Sequence, residues 1–323
     1  MKHLSKKTLL LIIGFILLIG LFIANILVQQ LQPKTQPQVI TPRIPSIDNK
    51  PYSITEFSFV GETPRFPQTL PLFQARNQQL SMQHTAEQYV QLLHMTPTTS
   101  PDTWESIPES SYLTVNKITN QISYRKLQIP TSTTSITLDD AVTQSTSFLS
   151  ALGITDVSPL NEEASFLSGE SEPEKATPED ATMIVLPFQK KLSDYPLFFN
   201  NTTARAAEMW IHSRAGIIKA DLLPTPQFEE YNTTTLMKIN DAIQELKKGN
   251  GILLSARVVS GGPFAFSDLA SATFTTVSLE YRFSPTTNLA TPYYRFSGNA
   301  QTKSGITTFV ELSTPAVFTQ ALR

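Results

Sequence analysis

The stretch AEMWIHSRAGIIKADL, residues 207–222, contains side chains that are scarce in this chain and capable of chemistry. Trp210, His212 and Arg214 lie close to a glycine, while the whole sequence has two Trp, four His and no Cys. A histidine in a loop suits proton transfer or metal binding. The same pattern is typical of a β-hairpin whose turn, residues 213–216, ends on a glycine in the left-handed conformation. We expect the hairpin, with Trp210 mainly packing and His212 dispensable for function.

A serine–lysine catalytic pair is the sharpest enzymatic alternative in the sequence. Ser123 and Lys126 form an S-x-x-K pattern, and KSG at residues 303–305 resembles the K-T-G triplet of penicillin-binding enzymes. That chemistry requires the serine at the start of a helix, so that the lysine lies one turn later beside its hydroxyl. The segment QISYRKLQI instead favours a strand, where residues three apart point to opposite faces. We therefore expect no catalysis by this pair.

Ligands for a metal ion are few. His84 and His94 fall on one predicted helix, separated by about 15 Å along its axis, so they cannot share an ion. The chain has no Cys, which excludes thiolate sites and disulfides. The acidic run at residues 162–180 lacks the glycine turn and alternating oxygen ligands of calcium loops. The sequence predicts no metal and no cofactor.

Aromatic residues supply the remaining candidates for recognition. The segment PYYRF, residues 292–296, predicts a strand on which Tyr293 and Tyr294 could contact a peptide or a glycan chain. A strand that is apolar on both faces is more often part of the core. Together with Trp210 and His212, the two tyrosines form the candidate recognition surface that the sequence offers.

The N-terminus predicts a membrane anchor. Residues 8–28 carry no charge and, as a helix, would span about 30 Å, enough to cross a bilayer. Lysines precede this segment, which places residues 1–7 in the cytoplasm and the bulk of the chain outside the cell membrane. No small-x-small cleavage site follows, so we expect an uncleaved single-pass anchor. Residues 29–50 are rich in Gln and Pro and predict an extended stalk.

Beyond the stalk, the sequence predicts an α+β protein in which helix-plus-antiparallel-sheet units follow the transmembrane helix. Each unit begins with a helix and continues with strands. The second helix begins at Thr137, whose spacing to Asp140 resembles a capping box. The third helix ends at Lys247 and Lys248 before a glycine. The predicted units are residues 51–130, 131–230 and 231–323.

Two segments carry a resemblance to known families. LPFQKKLSDYPLF followed by ARAAEMWIHSRAGIIKADL resembles the PepSY-like order of strand, strand, glycine-containing turn and strand. The third unit, with DAIQELKKGNG, TVSLEYRF, PYYRFSGNA and TTFVELSTPA, is similar to the C-terminal part of YycH/YycI-type accessory regulators. The resemblance implies a non-enzymatic, membrane-anchored protein that binds a sensor kinase and modulates envelope signalling, and it implies no catalytic residues.

Three functions stay open at this point. The leading hypothesis is an extracytoplasmic interaction or regulatory protein with a protein partner, and not an enzyme. The alternatives are a cell-envelope hydrolase or transferase acting on peptidoglycan or glycan, and a structural subunit of a surface complex. The formal net charge of −2 includes the three lysines before the anchor, so the remainder is mildly acidic. This charge excludes a nucleic-acid partner. The oligomeric state is undetermined.

Overall fold

The structure, a computed structural model, describes residues 52–76, 82–117, 121–169, 173–199, 202–260 and 264–318. The predicted cytoplasmic tail, anchor and stalk lie outside these ranges. Within the described ranges, no helix has both the length and the apolar character needed to cross a membrane. The transmembrane helix of the predicted architecture therefore has no counterpart among the described residues.

The described residues form eighteen β-strands and three α-helices. The helices are α1 (Met82–Leu92), α2 (Leu138–Ala151) and α3 (Ile239–Lys248). The strands are β1 (Glu56–Phe59), β2 (Thr69–Ala75), β3 (Thr96–Pro97), β4 (Thr103–Ser106), β5 (Ser111–Asn116), β6 (Gln121–Lys126), β7 (Val157–Pro159), β8 (Ser165–Ser168), β9 (Glu174–Lys175), β10 (Met183–Leu192), β11 (Tyr195–Phe199), β12 (Ala207–His212), β13 (Gly216–Leu222), β14 (Phe228–Thr235), β15 (Ile252–Ser260), β16 (Leu269–Ser284), β17 (Leu289–Thr302) and β18 (Thr307–Pro315).

The ends of α2 and α3 are set by capping residues that can be recognised in the sequence. Thr137 is the N-cap of α2, and its Oγ1 accepts a hydrogen bond from the backbone N–H of Asp140 at 3.1 Å. The helix α3 ends at Gly249, which takes the left-handed conformation with φ of 90°. Lys247 and Lys248 occupy the last turn of α3, where positive charge complements the helix dipole.

One part of the sheet, which we call the insert section, consists of β3–β10, β12 and β13. Its strands pair antiparallel in the order β9-β8-β10-β12-β13-β6-β5-β4-β3, and β7 pairs with β10 beyond β8. The helices α1 and α2 contribute to the core that these strands bury, which includes Ala86, Leu113, Leu149, Ile184 and Ile211. The insert section thus has a core of its own.

The other part, which we call the frame section, consists of β1, β2, β11 and β14–β18. The long strand β16 pairs antiparallel with β17, which pairs with β18, and β15 pairs with the far side of β18. On its other edge β16 pairs with β1 and β11, both parallel to it. The strand β2 pairs with β14 and with the start of β17. The helix α3 packs on one face, where its apolar residues join the core of the frame section.

A group of aromatic rings forms the centre of that core. Phe296 is fully buried, and its ring centroid lies 5.1 Å from that of Phe274 and 6.4 Å from that of Phe59. Phe274 in turn stacks on Phe57 with centroids 5.9 Å apart. Contacts of this kind add to the free energy gained by burial. Phe296 therefore connects β17 to β16 and β1.

The two sections are hydrogen-bonded into one sheet through β10 and β11. Most of β10 belongs to the insert section, but Lys191 and Leu192 pair with the first residues of β11. The remainder of β11 pairs with β16 of the frame section. In chain order the insert section falls between β2 and β14, two strands that are neighbours in the frame section. The chain therefore leaves the frame section, builds the insert section and returns.

The predicted α+β architecture of three repeated helix-plus-sheet units is wrong. Strands account for 50% of the structure and helices for 15%, in one large mixed sheet. The physical reason is strand pairing across the expected boundaries. The strand β6, expected in the first unit, pairs with β13 of the second, and β2 pairs with β14. Long-range pairing, not a local repeat, sets the architecture.

Candidate recognition surface

The stretch at residues 207–222 is a β-hairpin, as the sequence predicts. The strands β12 and β13 pair antiparallel, with His212 opposite Gly216 at the turn. Gly216 has φ of 66°, in the left-handed region that the turn requires. Met209 and Ile211 are fully buried in the core of the insert section. The hairpin is therefore a structural part of the insert section.

His212 organises the turn of this hairpin. Its side chain is buried, with 1% of its surface exposed. Its Nδ1 accepts hydrogen bonds from the backbone N–H groups of Arg214 and Ala215, at 3.3 and 3.2 Å. These two N–H groups would otherwise lack an acceptor at the turn. His212 thus fixes the hairpin and does not form an exposed pair with Trp210.

Trp210 is half-buried, and its polar and aromatic parts both have partners within the sheet. Its Nε1 donates a hydrogen bond to Glu208 Oε1 at 2.9 Å. The Lys219 ammonium lies 4.7 Å from the centre of its ring. Lys219 also forms an ion pair with Asp221 at 3.0 Å. These contacts hold the Trp210 ring in place, as expected of a packing residue.

Asp221 is the centre of a polar cluster on β13 and the neighbouring β6. Ser123 Oγ donates to its carboxylate at 2.7 Å, and the Arg125 guanidinium donates to both of its oxygens at 3.0 and 3.3 Å. Burial alone would raise the pKa of Asp221, but the hydrogen bonds from Ser123 and Lys219 and the charges of Arg125 and Lys219 outweigh it and lower the pKa below 3.8. The cluster stabilises the ionised carboxylate.

The same cluster contains the serine of the S-x-x-K pattern, and the lysine of that pattern has a different partner. Ser123 lies in the strand β6 and is engaged with Asp221, whereas Lys126 donates to the backbone oxygen of Ala215 at 2.8 Å. The lysine is therefore bound to the hairpin turn and not to the serine hydroxyl. The strand placement predicted for this pattern is confirmed.

We expect Asp221→Asn to lower the free energy of unfolding at pH 7 by about 1–3 kcal/mol, the usual cost of weakening charged hydrogen bonds. Because the folded pKa is lowered, this stabilisation is present above the ordinary carboxyl pKa of 3.8 and disappears as the pH falls through the folded value. Urea unfolding of both proteins between pH 7 and pH 3 measures the difference. Glu105→Gln, at an exposed carboxylate on β4, is the control. A difference that stays constant down to pH 3 would contradict this assignment.

The two tyrosines of β17 point to opposite sides of the frame section. Tyr294 is buried in the core, donates its hydroxyl to the Met237 backbone oxygen at 2.9 Å and contacts Phe66 with centroids 5.4 Å apart. Tyr293 is half-buried, and the Arg282 guanidinium lies 6.0 Å from its ring. Burial raises the pKa of Tyr293. Tyr294 is therefore a core residue, while Tyr293 lies on the opposite face of the sheet.

That opposite face contains a row of charged and hydroxyl groups, which we call the charged ladder: Ser255, Glu280, Arg282, Arg295, Glu311 and Ser313. Its buried end is the pair of Glu280, 1% exposed, and Arg282, 3% exposed. Arg282 Nε donates to Glu280 Oε1 at 2.7 Å, and Ser313 Oγ donates to the same oxygen at 2.7 Å. Arg282 also donates to the Thr202 backbone oxygen at 3.1 Å. The ladder thus connects β16 to β18 and to the segment before β12.

The other end of the charged ladder is closer to solvent. Arg295 Nη2 donates to Glu311 Oε1 at 2.9 Å, and Ser255 Oγ donates to Glu311 Oε2 at 2.7 Å. Arg295 Nη1 lies 3.7 Å from Glu280 Oε2. Burial would raise the pKa of Glu311, but these hydrogen bonds and the charge of Arg295 lower it below its ordinary value. The Glu311 carboxylate is therefore held ionised beside Arg295.

Three arginines surround one aromatic ring beside the ladder. The guanidinium carbons of Arg205, Arg282 and Arg295 lie 5.5, 5.5 and 5.6 Å from the centre of the buried Phe198 ring. Arg205 comes from the segment before β12 and forms a bidentate pair with Glu163 at 2.6 and 2.7 Å. These contacts join the insert section to the frame section. In the ladder and around Phe198 the charged groups neutralise one another, which favours a structural role.

The end of β15 differs from these satisfied regions. Arg257, Val258, Val259 and Ser260 are all exposed, with 44% and 61% of the two valines accessible. This strand pairs with β18 on one side and with no other described strand. Two bulges, at Leu253/Ser255 and Val258/Ser260, interrupt that pairing. We call residues 255–260 the open edge of β15.

Within the described ranges, no group of three or more His, Asp or Glu residues is placed to hold a metal ion. The segment GILLSARVV predicts a strand, but its composition does not indicate that one edge of the strand is unpaired. The sequence feature that could have indicated the open edge is the end of this strand, where two adjacent valines precede Ser260 and a Gly-Gly-Pro segment.

No protein-family model matches the chain, and a search of curated proteins finds no significant match.

Proposed function

We propose that this protein is a non-catalytic binding protein that associates with a protein partner through the open edge of β15. The observation that carries the proposal is the exposure of Val258 and Val259 on a nine-residue strand that, among the described strands, is paired on one side only. The unpaired backbone N–H and C=O groups of a strand edge are a template for a further strand, and exposed β-branched side chains add apolar contact to it. The resemblance to accessory regulators makes an envelope sensor kinase one candidate partner.

The acidic and basic groups described above support binding over catalysis. Asp221, Glu280 and Glu311 are each held by at least two hydrogen bonds or ion pairs from neighbouring side chains. Ser123 is likewise bound to Asp221. A catalytic acid, base or nucleophile needs a reactive atom aimed at a substrate, whereas the Asp221 and Glu311 carboxylates and the Ser123 hydroxyl are bound to neighbouring side chains.

The proposal predicts that Val259→Lys lowers partner capture at least fivefold, because an exposed lysine blocks strand addition and removes apolar contact. Crosslinking in intact cells, followed by quantitative mass spectrometry, compares the original chain with this variant. Ile107→Lys is the matched control, since Ile107 is 77% exposed in the loop between β4 and β5. Equal capture by the original chain and Val259→Lys would overturn the proposal, as would equal losses in both variants.

A further inference from the structure

We propose that the segment bound at the open edge of β15 is an extended partner segment carrying a carboxylate, which pairs with Arg257. This inference rests on the proposed function and specifies the chemistry of the partner. It follows from three features of the open edge: its short regular backbone, the placement of the Arg257 charge and the repulsion that a second copy of the chain would meet.

The backbone of the open edge offers a short, defined pairing site. Between the two bulges, residues 255–258 keep a regular register with β18, from Ser255 opposite Glu311 to Val258 opposite Thr308. In such a strand, alternate residues direct their N–H and C=O groups away from the neighbouring strand. The bulges prevent a long, continuous pairing, which is how many edge strands avoid aggregation. A short extended segment fits this edge better than a long one.

Arg257 supplies a positioned positive charge at this edge. Its guanidinium carbon lies 4.8 Å from the centre of the Phe309 ring, which lies opposite it on β18. Among the described residues, no carboxylate forms an ion pair with Arg257. The charge of Arg257 contributes to the lowered pKa of Glu311, but the oxygens of that carboxylate are hydrogen-bonded to Arg295 and Ser255 and not to Arg257. The strand β15 itself contains no acidic residue.

A second copy of the chain is a poorer occupant than an acidic partner. Two copies of residues 255–258 can pair antiparallel about a twofold axis that passes either Ala256 or Arg257. In the first register the two Arg257 side chains are diagonal neighbours on one face, and in the second they lie directly opposite each other. Like charges in these positions destabilise a strand pair. A carboxylate at the same position of a different segment would instead form a cross-strand ion pair with Arg257.

The test selects peptides from a phage-displayed library of random linear segments about ten residues long, using the full chain as the target. We expect the selected peptides to share an Asp or Glu flanked by apolar residues. Binding of a selected peptide, measured by fluorescence anisotropy, should weaken at least tenfold for Arg257→Glu. Replacing the peptide carboxylate by lysine should restore binding to that variant. Arg65→Glu, at an exposed arginine, is the charge control and should bind as the original chain does.

The outcomes separate this inference from the proposed function. Selected peptides without a shared acidic residue, or equal affinity for Arg257→Glu and the original chain, would overturn the inference. If Val259→Lys still lowered partner capture in that case, the proposed function would stand without the inference that the partner carries a carboxylate. A library that yields no binding peptide also overturns the inference. Sedimentation that reveals a dimer sensitive to Val259→Lys would assign the open edge to a second copy of the chain.

Discussion

Glu280→Ala is expected to lower the free energy of unfolding by about 3–5 kcal/mol, because it leaves the buried Arg282 guanidinium without its carboxylate. The carboxylate accepts from Arg282 Nε and Ser313 Oγ, both at 2.7 Å, so one substitution removes several charged hydrogen bonds. Urea unfolding followed by far-ultraviolet circular dichroism measures the change, because both tryptophans, Trp104 and Trp210, lie in the insert section. Few single substitutions have effects of this size, and they need a named mechanism such as an uncompensated buried charge.

Two further variants determine whether the effect comes from the buried charge. The double variant Glu280→Leu with Arg282→Met removes both charges, and we expect it to recover most of the lost stability. Glu229→Ala breaks an ion pair with Arg76 in which both side chains are about half exposed, so it should cost no more than about 1 kcal/mol. A Glu280→Ala cost as small as that of Glu229→Ala would contradict the burial argument.

Phe296→Ala is expected to cost about 3–5 kcal/mol, since it removes a fully buried ring and leaves a cavity between β16, β17 and β1. The ring contacts Phe274, Phe59 and Tyr294, so its loss weakens several aromatic contacts at once. The measurement is the same urea titration. The control is Phe318→Ala, because Phe318 is 46% exposed and its loss should change the free energy of unfolding by less than about 1 kcal/mol. Similar costs for both variants would contradict the placement of Phe296 in the core of the frame section.

The elements that the sequence predicts correctly are those whose signals are local. Thr137 and Asp140 set the start of α2, and the hairpin at residues 207–222 follows from its alternation and its glycine. The strands β16 and β17 alternate apolar and polar residues along most of their length. In each case a few consecutive residues contain the full physical reason for the structure.

The missed elements depend on partners distant in the chain. The strand β14, FEEYNTTT, is polar and mostly exposed, and it extends because it pairs with β2. The strand β11 contains a proline and still pairs with β16. No local pattern specifies these pairings, so the predicted unit boundaries do not coincide with the limits of the two sections: residue 130 lies inside the insert section and residue 230 lies inside β14.

The features of the candidate site were likewise predictable only where they depend on residues close in the chain. Alternation in SLEYRF indicates that Glu280 and Arg282 share a face, but their burial depends on the segment that contains Thr202. The hydrogen-bond partners of Trp210 and His212 lie within three residues of each, so these contacts are local in the chain. Tyr293 and Tyr294 lie on opposite faces of the sheet, because adjacent residues of a strand point in opposite directions. The openness of the β15 edge could not be predicted, because it depends on which strands do not pair.

The parallel pairing of β1 with β16 has a consequence for the order of folding. Ser58 and Thr273, which are partners in this pair, are separated by 215 residues in the chain. During synthesis, β1 and β2 leave the ribosome long before β16 and β14 exist. The insert section, by contrast, lies within residues 96–222 and can complete its pairing early. Closing so long a loop is slow, and β1 and β2 have unpaired edges until β16 and β14 are synthesised. We expect the frame section to be the last part of the protein to fold and the part most in need of a chaperone.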